Sequence, residues 1–400
     1  MPTLMLNEEG AKEALYMHTL PIRHISLYHQ EAITREDILA LANFSDEREH
    51  AVSFYFSLPS SANNSHHKEV LMIKRLVSEL NSTNGSEAGI TKDLEAIVRM
   101  ADEICHKPSQ FKAIFACRDQ QVWQAFDIDV SYPVDILGVG RHFHLIPLLR
   151  ALQLSAPFGM LMLEHGHSRS FVVQGTQIRE VRGHFRGGNR HQDKGDSRVG
   201  WSHHTEGNSS ERAKRYLKQI CSEIPEFMEE HQCARLVIGC REDLWSEVEP
   251  QLVQSDKTAV IGRFHPSSFD LSPDEALQVA RPIFEQSLQR DYQELARKIN
   301  DDSSHSAFGM NEVLEGLEEG RVQKLLLGEP SDEEFCECRQ CSHLHAGARG
   351  SCVFCGSHKV HAVLAQTALI RKALLTDAEI LLPSPGAPYA NKETAAWLRF

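Results

Sequence analysis

Two spacings of apolar residues recur along the chain, one every three or four positions and one at alternate positions or in short apolar runs. The first predicts helices and the second predicts strands. Within the first 150 residues the apolar runs Phe111–Cys117 and Val122–Phe126 flank the polar turn Asp119–Gln121, which indicates a β-hairpin. The other elements expected there are a helix over Thr34–Asn43 with Thr34 as cap, a strand over Ala51–Leu58, a polar loop over Pro59–Lys68, and helices over Glu69–Leu80 and Thr91–Cys105.

Strands and helices alternate through the rest of the chain, and this alternation indicates an α/β fold. Between Ser210 and His231 the sequence is helical, either as one helix or as two that are broken at Pro225. A helical stretch over Ser272–Lys298 begins at a Ser-Pro-Asp-Glu cap. The remaining predicted elements are strands Phe158–Leu163, Ser170–Gln174, Ala234–Cys240, Thr258–Gly262, Val322–Leu327 and Ala378–Leu382, and helices Asn311–Glu319 and Val360–Leu375.

A chain of 400 residues is too long for one hydrophobic core, so several domains are expected. The pattern suggests three, with limits at 1–150, 151–282 and 283–400. No stretch is long and apolar enough to cross a bilayer, and the first twenty residues lack the pattern of a signal peptide. A cytoplasmic protein is therefore expected.

The chain carries a formal net charge of −13, which argues against a protein that coats nucleic acid along its whole surface. One segment has the opposite charge: from Arg182 to Lys218 there are nine Lys or Arg against four Asp or Glu. Within it, Gly187 and Gly188 allow close approach of the backbone to a phosphate or sugar, because they have no Cβ. Cations that could hold such a contact surround the pair. The candidate contact residues are Arg186, Gly187, Gly188, Asn189, Arg190, His191, Lys194 and Arg198.

Two C-x-x-C pairs, Cys338/Cys341 and Cys352/Cys355, are separated by ten residues. Each pair can present two thiolates from one turn, and two such turns can complete a tetrahedron around Zn²⁺. Four protein ligands leave no open position, so a structural zinc ribbon at about 335–358 is expected. Nearby Cys336, His343 and His345 leave the ligand set open, and four reduced cysteines or a redox pair are alternatives.

The other five cysteines (Cys105, Cys117, Cys221, Cys233 and Cys240) are scattered singly in apolar surroundings and are expected to be buried, reduced thiols. The 22 histidines form pairs such as His142/His144, but no recognisable metal motif, so each is expected to be an ordinary core or surface residue. Familiar catalytic motifs such as G-x-S-x-G, the P-loop and H-E-x-x-H are absent from the sequence.

Several segments, in this order, resemble the archaeo-eukaryotic class I release factor and Pelota family, in particular its bacterial branch. The resemblance covers most of the chain at low identity. The segments that carry it are Ser53–Phe56, Val139–Leu149, Phe158–Leu163, Arg169–Gly175 and Glu315–Leu327.

The resemblance implies an RNase H-like middle domain and an L7Ae-like third domain, with the cysteines in an insertion of the third. It also implies a tRNA-shaped protein that enters the ribosomal A site, with the basic loop at the 23S rRNA of the peptidyl transferase centre. The first domain would then face the 16S rRNA of the decoding centre through Asn63, Asn64, Ser65, His66, His67 and Lys68. These residues do not reproduce the eukaryotic stop-codon motif.

Release factors of this family carry Gly-Gly-Gln at the basic loop, whereas this chain has Gly187-Gly188-Asn189. Asparagine is one methylene shorter, and misplacement by about 1 Å can cost a large factor in rate. The resemblance therefore favours a non-hydrolytic factor that holds ribosomes idle in hibernation under stress, with no catalytic residue and elongation factor Tu as a delivery partner. Off the ribosome a monomer is expected. Peptidyl-tRNA hydrolysis in termination or rescue of stalled ribosomes is the enzymatic alternative, and a scaffold that uses the zinc ribbon to bind proteins is a third.

Overall fold

The computed structural model describes residues 33–57, 66–84, 88–100, 111–130, 134–164, 166–182, 185, 205–346 and 350–400. Within these ranges the strands form four separate sheets that are covered by helices. The fold is therefore a mixed α/β architecture of several domains, as the alternating sequence pattern predicts. No helix in the described ranges is both long enough and apolar enough to span a bilayer.

The N-terminal region is built on an antiparallel sheet with strand order β3-β2-β1-β4. Its elements are α1 (Arg35–Asn43), β1 (Ala51–Ser57), α2 (His66–Asn84), α3 (Ala88–Arg99), β2 (Phe111–Cys117), β3 (Val122–Ile128), β4 (Asp135–Gly140) and the following helix α4 (Ile146–Leu154). In β1, Phe54 and Phe56 pack with helices α2 and α3, whereas Tyr55 between them joins the core on the other face. Because both faces are covered, residues 51–56 of the strand are all buried.

Thr34 caps α1 as predicted: its hydroxyl accepts a hydrogen bond from the Asp37 N–H at 3.2 Å, and the Asp37 carboxylate accepts one from the Thr34 N–H at 2.9 Å. The expected polar loop over Pro59–Lys68 is partly wrong, because α2 already begins at His66. The segment 66–68 contains no glycine or proline to stop a helix, so the helix extends to include it.

The middle region is a five-stranded sheet with strand order β7-β6-β5-β8-β9. Its elements are β5 (Phe158–Glu164), β6 (His167–Gln174), β7 (Gln177–Val181), α5 (Thr205–Glu230), β8 (Leu236–Gly239), α6 (Glu242–Val248), α7 (Gln254–Ala259), β9 (Val260–Phe264) and α8 (Pro273–Asp301). The first three strands are antiparallel and the last two run parallel to β5, which is the arrangement of an RNase H-like sheet. Helix α5 packs on one face through Ile220 and Phe227, and α8 covers the other through Ala280 and Phe284.

Two prolines lie inside long helices without ending them. Helix α5 is continuous through Pro225, which decides between the two arrangements that the sequence left open. Helix α8 is likewise continuous through Pro282, so the expected limit between residues 282 and 283 falls inside a helix. The three domain limits stay a prediction.

The C-terminal region contains two sheets. Its elements are β10 (Ser306–Phe308), α9 (Gly309–Glu318), β11 (Val322–Leu326), β12 (Glu334–Cys338), β13 (Leu344–His345), β14 (Val360–Leu364), α10 (Ala365–Leu375), β15 (Glu379–Leu381) and β16 (Ala395–Leu398). One sheet has the order β10-β16-β11-β15, and the smaller one has the order β13-β12-β14. The smaller sheet, which we call the ribbon sheet, is inserted between β11 and α10 and carries the C-x-x-C pairs.

The expected helix over Val360–Leu375 is wrong in its first third. Residues Val360–Leu364 form β14, which pairs antiparallel with β12 from Cys338↔Val360 to Glu334↔Leu364, and only Ala365–Leu375 is helical. The apolar residues of this segment fit the spacing of a helix as well as that of a strand. Pairing with β12, which precedes it by more than twenty residues, stabilises the extended conformation.

Helix α8 contacts both the middle sheet and the C-terminal sheet. Its Phe284 ring stacks on Phe158 of β5 with centroids 4.5 Å apart. Two turns further on, the Tyr292 hydroxyl donates to the Leu327 carbonyl at 2.7 Å. One helix thus joins the two regions through buried contacts on each side.

Candidate functional site

The basic loop Arg186–Arg198, with all eight of its candidate contact residues, lies outside the described residues, and so do Asn63, Asn64 and Ser65. His66, His67 and Lys68 form the first turn of α2. The structure does describe the segments on either side of the basic loop. Strand β7 ends at Val181, and α5 begins at Thr205.

Phe185, directly before Arg186, anchors the start of the basic loop. Its side chain is buried and packs on Phe227 of α5 with ring centroids 5.4 Å apart. Its carbonyl accepts a hydrogen bond from the Ser168 hydroxyl at 2.9 Å, and its N–H donates to the Glu223 carboxylate. Its φ of 60° is in the left-handed region, which non-glycine residues seldom adopt. The loop therefore leaves the sheet from a fixed point.

Helix α5, which follows the basic loop, is amphipathic. Tyr216 and Leu217 face the middle sheet and are buried. The cations of this stretch whose side chains are described all lie on the exposed face: Lys214, Arg215 and Lys218. They add positive charge to the region beside the loop, as contacts with a polyanion require.

The two C-x-x-C pairs come together. The four sulfur atoms lie within 4.8 Å of one another, and the pairs Cys338–Cys355 and Cys341–Cys352 are each separated by 3.6 Å. Four sulfurs at the usual Zn–S distance of about 2.3 Å in a tetrahedron are about 3.8 Å apart, so the spacing fits a bound zinc ion. The residues present therefore suit a four-thiolate metal centre.

The two cysteine turns have the same backbone design. The Ser342 N–H donates to the Cys338 carbonyl at 2.9 Å, and the Gly356 N–H donates to the Cys352 carbonyl at 2.9 Å. Both donors have positive φ, 55° at Ser342 and 72° at Gly356. Glycine adopts this conformation freely, whereas serine adopts it with some strain.

Backbone N–H groups prepare one of the thiols for ligation. Desolvation acts to raise the pKa of Cys338, but hydrogen bonds from the N–H groups of Cys341 and Gln340 outweigh it and lower the pKa to about 6. The Gln340 nitrogen lies 3.4 Å from the Cys338 sulfur. A thiolate is the form that binds a metal.

The sequence left the ligand set open to Cys336 and two histidines. Among the described residues, the only group of cysteines that gathers in this way is Cys338, Cys341, Cys352 and Cys355. Cys336 is buried on β12 opposite His345 and is not part of that group.

A buried ion cluster, which the sequence interpretation missed, lies between the N-terminal and C-terminal regions. His142 Nε2 is 2.7 Å from a carboxylate oxygen of Glu337, and the Arg371 guanidinium lies 3.2 Å from both oxygens of that carboxylate. Arg371 Nε also donates to the Ala42 carbonyl at 2.8 Å, and His361 Nε2 is 3.3 Å from Glu337. We call His142, Glu337, His361 and Arg371 the interdomain ion cluster.

The cluster is nearly closed to solvent, with side-chain exposure of 3% for His142, 7% for Glu337 and 10% for Arg371. Burial acts to raise the pKa of Glu337, but its hydrogen bonds to His142 and His361 and the charge of Arg371 hold that pKa far below its ordinary range. The two histidines and the carboxylate are close enough to share a metal ion. However, the guanidinium already supplies a positive charge there, with its nitrogen 2.9 Å from His142 Nε2.

The isolated cysteines are ordinary core residues, as predicted. Desolvation raises the pKa of the Cys117, Cys221, Cys233 and Cys240 thiols to about 11, and all four are buried. They therefore stay protonated and unreactive at neutral pH. Cys105 lies outside the described residues.

Comparison with known proteins identifies the middle of the chain. Residues 144–285 match the family model of bacterial archaeo-eukaryotic release factor family 10. This region is similar to the bacterial archaeo-eukaryotic release factors. The matched part of the chain begins just before α4, includes the whole five-stranded sheet and the basic loop, and ends within α8.

Among solved structures, the chain is similar to Pelota from Archaeoglobus fulgidus, with 12% identity over 92% of each chain and a TM-score of 0.31. It is also similar to Dom34 from S. cerevisiae, with 12% identity over 92% of this chain and 93% of that one and a TM-score of 0.34. An archaeal translation termination factor, aRF1, gives 12% identity over 92% of this chain and 99% of that one, with a TM-score of 0.24. No curated protein matches.

Proposed function

We propose that this chain is a ribosome-binding factor that occupies the A site as a mimic of tRNA and of release factors, without hydrolysing peptidyl-tRNA. The observation that carries the proposal is the match of residues 144–285 to a bacterial release factor family, since this range encloses the Gly187-Gly188-Asn189 loop. Shape and phosphate contacts are enough for occupancy, whereas cleavage in this family depends on a glutamine at the position of Asn189.

On the large-subunit side, the basic loop would contact 23S rRNA through Arg186, Arg190, Lys194 and Arg198. Two described features support this assignment. Phe185 fixes the point from which the loop leaves the sheet, and exposed cations of α5 extend the positive region beyond the loop. Most of the affinity of such a contact comes from phosphate neutralisation.

On the small-subunit side, the segment Asn63–Lys68 would contact 16S rRNA. The start of α2 at His66 supports this, because the free N–H groups at a helix N-terminus attract phosphate. The assignment predicts contact with the RNA backbone and leaves codon reading out of the proposal.

Charge reversal in the basic loop tests the proposal. We expect Arg186→Glu with Arg190→Glu to weaken binding to ribosomes by about tenfold or more, because two phosphate contacts are lost and two repulsions are added. The measurement is co-sedimentation of the tagged protein with ribosomes in sucrose gradients, from growing cells and from starved or chilled cells.

The matched control is Arg241→Glu with Lys257→Glu, a charge change of the same size on exposed residues of the same region. It should leave sedimentation unchanged. The proposal is rejected if the wild-type protein stays at the top of every gradient. Equal binding by both double variants would instead reject the role of the basic loop and favour the scaffold alternative.

Peptidyl-tRNA hydrolysis is the second candidate, and it is favoured by the release factor description of the matched family. The proposal predicts no more peptide release from stalled ribosome complexes with wild-type protein than with Asn189→Ala. Release by the wild type that falls on this substitution would establish the enzymatic alternative.

Three finer points belong to the same proposal. Resemblance to the bacterial hibernation factor Balon suggests that the chain keeps ribosomes idle in the cytoplasm of stressed cells, and that elongation factor Tu delivers it. Off the ribosome the chain is proposed to be monomeric. The four-cysteine centre would hold Zn²⁺ through Cys338, Cys341, Cys352 and Cys355, where the metal supplies structural cross-linking of the ribbon sheet.

A further inference from the structure

The second cysteine turn presents two apolar side chains to solvent. Val353 is 74% exposed and Phe354 is 77% exposed, both in the C-x-x-C sequence between two metal-ligand positions. A hydrogen bond from the Gly356 N–H to the Cys352 carbonyl at 2.9 Å closes the turn, and the two residues between the cysteines face solvent. A turn that served only to hold a metal could carry polar residues here, so a large exposed apolar pair points to a contact with something outside the chain.

Phe354 belongs to a short row of rings. His343, from the first cysteine turn, stacks on Phe354 with centroids 5.4 Å apart and planes inclined by 29°. His345 continues the row, 6.3 Å from His343 at an inclination of 22°. We call Phe354, His343 and His345 the ring platform. Its outermost member is an aromatic ring on a rigid support.

The stretch of sequence that contains the ring platform has no acidic residue. From Cys338 to Thr376 there is no Asp or Glu, although acidic residues outnumber basic ones 55 to 42 in the whole chain. Arg339, His358 and Lys359 are exposed beside the cysteine turns. Glu318 lies 4.0 Å from His343 and is also bound to Lys372 at 2.9 Å, and Glu337 lies on β12 opposite Leu344. Four thiolates with Zn²⁺ would carry a formal charge of −2, and the charges of Arg339 and Lys359 balance it, so the tip of the ribbon sheet is close to neutral rather than acidic.

An exposed aromatic ring in a segment whose exposed charged residues are cations suits an unpaired nucleotide better than a protein. A base can stack on the ring while the phosphates on either side meet the cations. A protein interface needs several hundred Å² on each side, and two apolar residues at the end of a turn offer little of that. Bases inside a duplex are already stacked on one another and are not available to the ring.

We infer that the tip of the ribbon sheet is a second RNA-binding site, which takes an unpaired base on Phe354 and adjacent phosphates on Arg339 and Lys359. The site is separate from the basic loop and does not depend on the proposed A-site function, because it requires only an RNA loop with a free base. Its partner is a looped or bulged segment of structured RNA.

The experiment measures binding of the full-length, zinc-loaded protein to a fluorescent hairpin RNA with an unpaired loop, by fluorescence anisotropy. A fully paired duplex of the same length is the comparison RNA. All proteins carry Arg186→Glu and Arg190→Glu, so that the basic loop does not contribute. We expect the hairpin to bind more tightly than the duplex, and Phe354→Ala to weaken hairpin binding by about tenfold.

Two control variants make the result specific. Phe354→Tyr keeps the ring and should bind as the parent does. Phe400→Ala removes an equally exposed phenylalanine, 72% accessible, from the other end of the C-terminal region and should have no effect. Zinc content should be unchanged in all variants, because residue 354 contributes no sulfur.

Equal hairpin binding by the parent and by Phe354→Ala would overturn the inference. A second outcome would also overturn it. If Phe354→Ala leaves hairpin binding unchanged but weakens ribosome co-sedimentation of the otherwise wild-type chain, the result would indicate a protein partner. Failure of the charge reversal in the basic loop, by contrast, leaves this site standing, so the two proposals fail separately.

Discussion

Cys341→Ser is expected to abolish zinc binding and to unfold the two cysteine turns of the ribbon sheet. The sheet has strands of five, two and five residues, and its buried apolar side chains are few: Phe335, Leu344 and Val363. These three side chains join the main core of the protein, whereas none of them lies in the cysteine turns, so the turns depend on the metal. Metal binding supplies folding free energy of about 10 kcal/mol or more in small zinc domains. Zinc should fall from one ion per chain to none, by elemental analysis of purified protein. A protease should then cut between residues 339 and 359.

Cys336→Ala is the matched control for the zinc prediction. This cysteine lies on the same sheet, two residues before Cys338, and is not part of the sulfur cluster. The variant should keep one zinc ion per chain, even if its melting temperature falls through loss of packing. Zinc retained in Cys341→Ser would show that the ligand set is wrong. A wild-type protein without zinc, whose melting is unchanged by a chelator, would remove the metal centre altogether.

Glu337→Gln is expected to lower the free energy of unfolding by about 3–5 kcal/mol, because it leaves the Arg371 guanidinium buried without a carboxylate partner. Arg371→Leu should cost a similar amount, since it leaves the Glu337 carboxylate buried beside two histidines and the Ala42 carbonyl without its donor. Urea denaturation measures both changes.

The double variant Glu337→Gln with Arg371→Leu completes the cycle. Its loss should be smaller than the sum of the two single losses, because no unpaired charge remains. The exposed pair Arg35–Asp377, with side chains 67% and 75% accessible, is the control, and Asp377→Asn should cost less than about 1 kcal/mol. Strictly additive losses at Glu337 and Arg371 would show that the two residues do not act as a pair.

Local sequence signals predicted most of the fold. Thr34 and Ser272 were expected as helix caps, and both side chains accept the expected backbone hydrogen bond. The hairpin of β2 and β3 and the two C-x-x-C turns also follow from short-range patterns of apolar, turn and cysteine residues. In each of these cases the residues that decide the structure lie within a few positions of one another.

The misplaced start of α2 at His66 is a local failure, whereas the larger failures involve information that is not local in sequence. Strand β14 was expected to be helical because its extended state depends on pairing with β12, whose Cys338 lies opposite Val360. The interdomain ion cluster joins His142 to Glu337 across 195 positions and to Arg371 across 229, and no local pattern encodes such a meeting. The solvent exposure of Phe354 could not be predicted either, because the sequence alone does not say which side of a turn faces the metal site.

The length of helix α8 bears on how the two proposed RNA contacts would act together on one large RNA. With 29 residues it is about 43 Å long, and it packs on both the middle sheet and the C-terminal sheet. The helix keeps the middle sheet and the C-terminal sheet, which carry the two proposed contacts, at a fixed distance. Once one contact has formed, the other would therefore be near its binding site at a high effective concentration. Lengthening or kinking helix α8 should then lower the affinity of the complex that makes both contacts, while the affinity of each contact alone stays unchanged.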